Sequence, residues 1–442
     1  MPFVLKLLRT SACIMAAAAI AAFGAARASA EALLLIEADS GKVLYAENAT
    51  YPWYPASITK LMTLYVVLHA VKERRLALDS LVTVSQFAAV QKPAKMGFKP
   101  GVQLTVDNAL KMLMVRSAND IAVVLAEGVS GSVEKFADDM NLAAARLGMT
   151  QSSFVNPNGL PAEDQISSAR DLGILARALI REFPEYDLYW HIPAIRYGNK
   201  VTQTYNKLIG RYPGADGMKT GFICSSGFNL VASATRNGRR LIAVVLGSTS
   251  SGARTVKAAQ LLERGFNGGG LAWLAPSLGT VEALPPIAAA PPDLREIICT
   301  PHRKKPASED SDDDENSAAT DEPSPLHTFK LSNLGPSKGK PSALLGPKIE
   351  SANPIEVYTG PARKPAEAQF AAPRAKPNGT RKPAAKSGKS ASGSNNQIAS
   401  APVAQIAPAM SFAPSATPLT QDFVPSPAPA KRPQPKSKPT SQ

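Results

Sequence analysis

The amino-acid composition changes sharply near residue 266, and this change limits which part of the chain can form a folded domain. Residues 31–266 contain periodic apolar segments separated by turn residues, over a length that can bury a sizeable core. Beyond residue 266, Pro, Ala and Ser dominate, and such segments cannot bury enough apolar surface to offset the entropy of ordering. We therefore expect one folded domain over 31–266, a linker or vestigial extension over 267–302, and a low-complexity disordered tail over 303–442.

The first 30 residues have the pattern of a secretory signal. Lys6 and Arg9 precede an apolar, Ala-rich segment from Ser11 to Phe23, which is short for a bilayer span. Ala28-Ser29-Ala30 then offers a small-x-small cleavage site. We expect export to the periplasm or cell envelope with cleavage near Ala30; a retained membrane anchor is the alternative.

Two cysteines remain in the expected mature chain, Cys224 and Cys299. An exported protein can pair them. Spacing alone does not establish the geometry of a disulfide, and Cys224 would equally suit a small buried apolar position. The sequence leaves both interpretations open.

The order of the predicted elements indicates an α+β fold. Short β-prone segments at 33–37 and 43–46 flank Asp39-Ser40-Gly41, which is typical of a hairpin. Helices are predicted over about 57–75, 106–115, 120–126, 133–147 and 169–181, strands over 194–197, 200–205, 215–221, 228–235 and 241–247, and a last helix over 252–266. Asn237-Gly238 predicts a tight turn between the last two strands. This order favours helices packed on an antiparallel sheet.

Three short motifs lie in the expected folded part. They are Ser57-Ile58-Thr59-Lys60, Ser117-Ala118-Asn119 and Lys219-Thr220-Gly221. Each alone is common by chance. Ser132-Val133-Glu134-Lys135 also matches the first pattern, but there Ser132 is expected to cap an ordinary helix. Together the three motifs can supply a nucleophile, a base, a proton relay and an anion clamp, which acyl transfer requires.

The first motif offers a serine and a lysine on one helical face. A spacing of three places Lys60 about 60° around the axis from Ser57, with a rise of roughly 4.5 Å. Lysine is a base only when neutral, so its pKa must be lowered by burial and by a second cation. Lys219 is the candidate for that cation. Ser57 is also expected to cap free amides at the helix start.

The third motif suits a carboxylate ligand. Lys219 and the Thr220 hydroxyl can bind it, and Gly221 permits close approach of a ligand backbone. The backbone amides of Ser57 and Phe222 could form an oxyanion hole if the strand and the helix start converge.

Other catalytic classes are disfavoured. His302 and His327 lie outside the folded segment, and His69 would lie about 120° from Ser57 around the same helix. The sequence has no metal-binding His or Cys cluster and no convincing phosphate-binding loop, so no cofactor or metal is expected.

Much of the formal charge of +14 lies in the tail. From Pro361 onward, twelve Lys or Arg side chains accompany only Glu367 and Asp422. A basic tail on an exported protein favours an anionic wall polymer or membrane surface rather than nucleic acid as a partner. A solvated spacer is the simpler alternative.

Longer segments around these motifs resemble one family. They are 36–45, 55–63, 156–160, 168–171 and 216–222. On these residues the chain resembles the low-molecular-mass penicillin-binding proteins that act as serine-type D-alanyl-D-alanine carboxypeptidases. The resemblance covers essentially 31–266. It implies the fold of the DD-peptidase/β-lactamase superfamily, an antiparallel five-stranded sheet with helices on its faces. Family members often carry a β-rich second domain and a C-terminal amphipathic helix, for which we find no pattern here.

The resemblance also implies roles for individual residues. Ser57 would be acylated by the penultimate D-Ala of a peptidoglycan stem peptide, Lys60 would take the serine proton, and Ser117 would relay a proton to the leaving amine. Asn119 would orient Lys60 and the substrate amide. The substrate side would further comprise Lys219, Thr220, Gly221, Phe222 and Arg254. β-Lactam antibiotics would acylate Ser57.

Three alternatives remain. A D,D-endopeptidase acting on wall cross-links would use the same residues. A class A-type β-lactamase would need a deacylating glutamate in a Glu-x-x-x-Asn setting, which the Asn156–Leu160 region and Glu163 do not provide. A wall- or membrane-binding protein with a vestigial site would not need the complete motif set.

Overall fold

The computed structural model describes residues 31–267, 277–300, 309, 341–347 and 353–363. The predicted signal, its cleavage site and most of the predicted tail, including 364–442, lie outside the described residues. Among the described residues, no helix combines the length and apolar character that crossing a membrane requires.

A five-stranded antiparallel sheet forms the centre of the fold. Its strands are β1 (Ala32–Glu37), β2 (Val43–Glu47), β7 (Ala215–Ile223), β8 (Gly227–Arg236) and β9 (Arg239–Ser248). They lie in the order β2-β1-β9-β8-β7, so β7 is an edge strand. The predicted hairpins at Asp39-Ser40-Gly41 and Asn237-Gly238 join β1 to β2 and β8 to β9. The α+β architecture and the five-stranded sheet with helices on its faces are confirmed.

Both faces of this sheet are buried. Leu34 and Ile36 of β1 pack into the large helical core, whereas Leu33 and Leu35 pack against the opposite layer. That opposite layer is α8 (Ser251–Asn267). Because successive side chains point to opposite faces, the almost continuous apolar sequence of β1 is what a doubly covered strand requires.

The helical layer lies between β2 and β7 in sequence. It comprises α1 (Lys60–Lys72), α2 (Gln86–Ala89), α3 (Val106–Val115), α4 (Asn119–Ser130), α5 (Val133–Leu147), α6 (Ala169–Glu182) and α7 (Leu188–His191). Helix α1 is the central one and is buried from Lys60 through Leu68. It contacts α3, α4, α5 and α6, which agrees with its apolar residues occurring on all sides.

Local capping explains why several helix bounds match the sequence prediction. The Ser132 hydroxyl accepts a hydrogen bond from the amide of Lys135 at the start of α5, and the exposed Lys135 side chain lies on its surface. Gly148, with φ of 72°, ends the same helix in the left-handed conformation that glycine tolerates. Ser168 caps α6 in the same way, through the amide of Asp171.

The predicted helix over 57–75 was wrong at both ends. Residues Ala56–Thr59 form a 3-10 turn, and α1 begins at Lys60 and ends at Lys72. Ser57 makes no capping hydrogen bond in this turn. The predicted cap at Ser57 is therefore absent, because the chain forms a tighter 3-10 turn there and the Ser57 hydroxyl contacts the Lys60 amine instead.

Small elements complete the fold. Strands β3 (Leu81–Thr83) and β4 (Gln103–Thr105) form an antiparallel pair that the sequence did not predict. Strands β5 (Ala194–Tyr197) and β6 (Lys200–Gln203) were predicted, and β6 ends two residues before the predicted end at residue 205. Strand β10 (Ile355–Glu356) adds to β5 in parallel, and the short helix α9 (Arg295–Ile298) follows α8 in the chain.

Residues beyond 266 pack against the domain that composition delimits at 266. Thr280 bridges to Lys42, Glu282 pairs with Arg177 at 3.0 Å, and the amide of Leu294 donates to the carbonyl of Ser225 at 3.0 Å. A disulfide joins Cys224 to Cys299, with Cα atoms 5.7 Å apart. Part of the predicted linker is thus fastened beside the end of β7.

Removing this disulfide is expected to lower stability. The bond joins residues 75 positions apart, and restricting such a loop in the unfolded chain contributes about 4 kcal/mol in the chain-entropy model. The double variant Cys224→Ala/Cys299→Ala should therefore melt at a lower temperature in calorimetry. A reductant should lower the wild-type midpoint to that of the double variant and leave the variant unchanged. A wild-type midpoint insensitive to complete reduction would contradict this.

Candidate active site

The site lies where the 3-10 turn, the start of α4 and the edge strand β7 meet. The turn carries Ser57, and Lys60 follows at the first position of α1. Gly221 of β7 packs directly against the turn. A Cβ atom added to Gly221 would lie 2.8 Å from the Pro55 carbonyl oxygen and 3.0 Å from the Ser57 nitrogen. Only glycine permits this approach.

The prediction that Gly221 makes room for the backbone of a ligand was wrong for the position its Cβ would take. We expected a ligand backbone there, but the chain's own turn at Pro55–Ile58 occupies it. The convergence that the predicted oxyanion hole requires is nevertheless present, since the segments that carry the amides of Ser57 and Phe222 are in contact.

A second glycine holds the other side of the turn. Gly159 has φ of 79°, and a Cβ atom there would lie 1.8 Å from the Ala56 carbonyl oxygen. Ala56 itself has a positive φ of 49°, which is uncommon for a residue with a side chain. The loop around Gly159 thus restricts the backbone immediately before Ser57.

The amine of Lys60 lies at the centre of the site. Its Nζ is 3.0 Å from Ser57 Oγ, 2.7 Å from Asn119 Oδ1 and 2.6 Å from the Asn158 carbonyl oxygen. The residue is completely buried, at 0% exposure. Two of these oxygens can only accept hydrogen bonds, whereas the serine hydroxyl can also donate. A neutral amine would donate to the two carbonyl oxygens and direct its lone pair at the Ser57 hydroxyl.

The environment favours that neutral form. Burial lowers the pKa of Lys60 well below its ordinary value, and the positive charge of Lys219 lowers it further. The negative charges of Glu309 and Asp120 oppose the shift without reversing it. The site therefore supplies the two causes, desolvation and a like charge, that a lysine base needs.

Asn119 is held in place by a segment that sequence reasoning missed. Its Nδ2 donates to the Lys92 carbonyl oxygen at 2.9 Å, which turns Oδ1 towards Lys60. Its backbone amide donates to the Ala94 carbonyl oxygen at 2.8 Å. The next residue, Asp120, accepts from the amides of Met96 and Gly97 and braces the same segment. No local pattern marks Asp120 for this task.

Ser117 occupies the connection between α3 and α4. It has φ of 57°, a left-handed conformation that costs energy for a residue other than glycine. Its buried hydroxyl has no hydrogen-bond partner among the described residues. A strained, buried and unpaired hydroxyl two residues before Asn119 is available to a ligand.

Two buried cations form the other end of the site. Lys219 of β7 is 2% exposed, and its Nζ donates to the Thr220 carbonyl oxygen at 3.0 Å. Arg254 of α8 is 1% exposed and donates to the carbonyl oxygens of Gly221 and Asn229 at 3.3 and 3.2 Å. Burial lowers the pKa of Lys219 to about 8; Arg254 acts in the same direction and Glu309 against it. The pair is suited to a carboxylate.

The structure thus brings together Ser57, Lys60 and Asn119 by direct contacts, and Gly221 with Arg254. Sequence reasoning missed the carbonyl of Asn158, although it lies in one of the segments that carry the resemblance, and it missed Glu309 altogether. His69 is absent from the site; it pairs with Glu182 at 3.1 Å on the far part of α1.

Comparison with known proteins places this geometry in a family. The family model described as D-alanyl-D-alanine carboxypeptidase matches residues 18–250. The chain belongs to this family. It is 41% identical over 245 residues to the D-alanyl-D-alanine carboxypeptidase DacC of Escherichia coli K12, covering 54% of this chain and 61% of that protein. It is 35% identical over 255 residues to DacF of Bacillus subtilis 168, covering 54% and 62%. The chain thus spans about three fifths of these relatives.

Solved structures agree with this family assignment. Penicillin binding protein 5 from Haemophilus influenzae is 34% identical, with a TM-score of 0.52 over 54% of this chain and 71% of that one. Penicillin binding protein 6B from E. coli is 35% identical, with a TM-score of 0.51 over 53% and 77%.

The close approach at Gly221 yields a test within this D-alanyl-D-alanine carboxypeptidase scaffold. Gly221→Ala should push β7 away from the Ser57 turn, and displacements of about 1 Å can cost on the order of 100-fold in rate. We expect a loss of that size in the second-order rate of acylation by a fluorescent penicillin.

Gly101→Ala is the control. Unlike Gly221, Gly101 has a positive φ, of 84°, and no atom lies within 4 Å of an added Cβ. That variant should lose some stability through backbone strain and keep its acylation rate. Wild-type acylation by Gly221→Ala, or equal losses in both variants, would contradict the role of close packing.

Proposed function

We propose that this protein is a serine-type D-alanyl-D-alanine carboxypeptidase that hydrolyses the terminal D-Ala-D-Ala bond of peptidoglycan stem peptides. The observation that carries the proposal is the buried Lys60 amine, which contacts the Ser57 hydroxyl and two obligate acceptors. Family membership supports the same conclusion.

In the first step, neutral Lys60 takes the proton of Ser57 as its Oγ attacks the penultimate D-Ala carbonyl carbon. The developing oxyanion accepts hydrogen bonds from the amides of Ser57 and Phe222. The C–N bond then breaks, and the leaving amine receives a proton through the hydroxyl of Ser117. Free D-alanine departs, and an ester on Ser57 remains.

In the second step, water attacks that ester with Lys60 again accepting a proton, which restores the Ser57 hydroxyl. The substrate's terminal carboxylate binds Lys219, Thr220 and Arg254 during acylation. A β-lactam would acylate Ser57 by the same route, with its amide bond opened in place of the peptide bond.

Room for the rest of the substrate exists next to the nucleophile. A cavity of about 400 Å³ is bounded by Ala56 before Ser57 and by Ile223 at the end of β7. The rest of its wall is formed by loop residues 159–166, by Tyr54 and Ser225, and by Pro291 and Arg295 beyond α8. We assign this cavity to the stem peptide preceding the scissile bond.

A class A-type β-lactamase is a poorer fit to the site. Its deacylation would need a carboxylate aimed at the ester, but Glu163 is exposed. The carbonyl oxygen of Asn158 takes the contact with Lys60 on that side. A D,D-endopeptidase would share every residue above, so a cross-linked peptide dimer belongs in the assay as a second substrate.

We also propose that the protein acts in the periplasm or cell envelope. The pairing of Cys224 with Cys299 supports this location, because disulfides persist in oxidising compartments and are rare in the cytosol. The signal-like pattern of residues 1–30 supports it independently.

Ser57→Ala should abolish both D-Ala release and covalent penicillin labelling, because the nucleophile is lost while the fold is kept. Release of D-Ala from a D-Ala-D-Ala peptide and mass spectrometry of the labelled protein measure the two effects. Ser132→Ala serves as the control, since it removes the serine of the same four-residue pattern at a helix cap. It should cost about 1 kcal/mol of stability and leave turnover unchanged. Wild-type release by Ser57→Ala would refute the serine mechanism.

The charge of Lys219 predicts how substrate binding depends on pH. With its pKa lowered to about 8, the amine is charged below that pH and neutral above it. The KM for a peptide ending in a free carboxylate should therefore rise as the pH passes from 7 to 9.5. Steady-state kinetics across that range measure the effect. Lys219→Arg keeps its charge throughout, so its KM should remain flat even where its turnover is reduced. A wild-type KM independent of pH would contradict the assignment.

A further inference from the structure

Glu309 places a carboxylate against the buried cations of the site. Its Oε1 accepts a hydrogen bond from Nη1 of Arg254 at 2.8 Å. The Glu309 side chain is 13% exposed and that of Arg254 only 1%, so the pair is largely removed from water. Charge-assisted hydrogen bonds in such surroundings are among the strong ones.

The charges around Glu309 keep it ionised. Burial raises its pKa, but the positive charges of Arg254 and Lys219, together with the Thr220 hydroxyl, outweigh burial and lower the pKa below its ordinary value. In return, the Glu309 carboxylate opposes the lowering of the Lys219 pKa that burial causes. Two buried cations without an anion would be costly, and Glu309 supplies that anion.

The three groups around Glu309 are the ones to which the proposed function assigns the substrate's terminal carboxylate. A substrate carboxylate and the Glu309 carboxylate carry the same charge and the same acceptor geometry. They cannot both occupy the contact with Arg254 Nη1. The Glu309 carboxylate therefore occupies the position proposed for the terminal carboxylate of the substrate.

The chain connection makes this competitor effective. Cys299 is fastened by the disulfide to Cys224, which directly follows β7, and Glu309 is ten positions further on. A tether of that length spans at most about 36 Å and keeps the carboxylate at high effective concentration near the site. Asp310, Asp312, Asp313, Asp314 and Glu315 follow it in the sequence.

We propose that Glu309 is an autoinhibitory carboxylate, which occupies the substrate-carboxylate subsite formed by Lys219, Thr220 and Arg254 and must be displaced for turnover. This inference rests on the proposed carboxypeptidase function. Its consequence is a KM equal to the intrinsic value divided by the fraction of molecules in which the subsite is open.

The first test compares Glu309→Gln with wild type and with Glu315→Gln in the full chain. Glu315→Gln removes one negative charge from the same acidic cluster. We expect Glu309→Gln to lower KM for a D-Ala-D-Ala peptide by about three- to tenfold at unchanged kcat, and to speed acylation by fluorescent penicillin similarly. Glu315→Gln should resemble wild type. An unchanged KM in Glu309→Gln, or equal shifts in both variants, overturns the proposal.

The second test uses a synthetic peptide with the sequence of residues 304–314, capped at both ends. Fluorescence titration should show it binding Glu309→Gln more tightly than wild type, and a peptide with Gln in place of Glu309 should bind more weakly to both. Equal binding of the two peptides overturns the proposal without reference to catalysis. If titration succeeds while no variant releases D-Ala or reacts with penicillin, the carboxylate subsite stands and the proposed carboxypeptidase function fails.

Discussion

The contact of a desolvated lysine amine with three oxygens is the interaction on which the rest of the site depends. Lys60 can act as a base only if it is neutral, and neutrality requires a dry pocket and a second positive charge. The direction in which the lone pair of the Lys60 amine points is equally important. Asn119 and the carbonyl of Asn158 take the two N–H groups, so the remaining lone pair is left for Ser57.

The fold satisfies these requirements by bringing backbone segments unusually close together. Helix α1 runs through the middle of the helical layer, and its first residue, Lys60, is therefore buried. Gly159 and Gly221 let a loop and the edge strand β7 pack closely against the turn that carries Ser57. The sheet contributes β7 as an edge strand, and an edge leaves one side of the strand available for an extended ligand.

The cations at the other end of the site impose a different constraint. Lys219 and Arg254 are both almost fully buried, and the carbonyl oxygens around Arg254 only partly compensate its charge. Such a pair attracts carboxylates of any origin. Glu309, which lies ten positions after the disulfide-bonded Cys299, pairs with Arg254 from within the chain.

What the sequence determined by itself was local. Helix α5 was predicted over its full extent because Ser132 and Gly148 terminate it through hydrogen bonds within a few residues. The proximity of Ser57 and Lys60 follows from one turn of chain.

What only the tertiary structure decided involves partners that are distant in the sequence. Gly159 packs against the turn that carries Ser57. In this turn Ala56 has a positive φ, and the predicted start of the helix is a 3-10 turn instead. Asp120, the Asn158 carbonyl, the disulfide and Glu309 likewise depend on partners that lie between 23 and 98 positions away in the chain. Local hydrogen bonds form between residues that are close in sequence, whereas the desolvation that lowers the pKa of Lys60 exists only in the folded core.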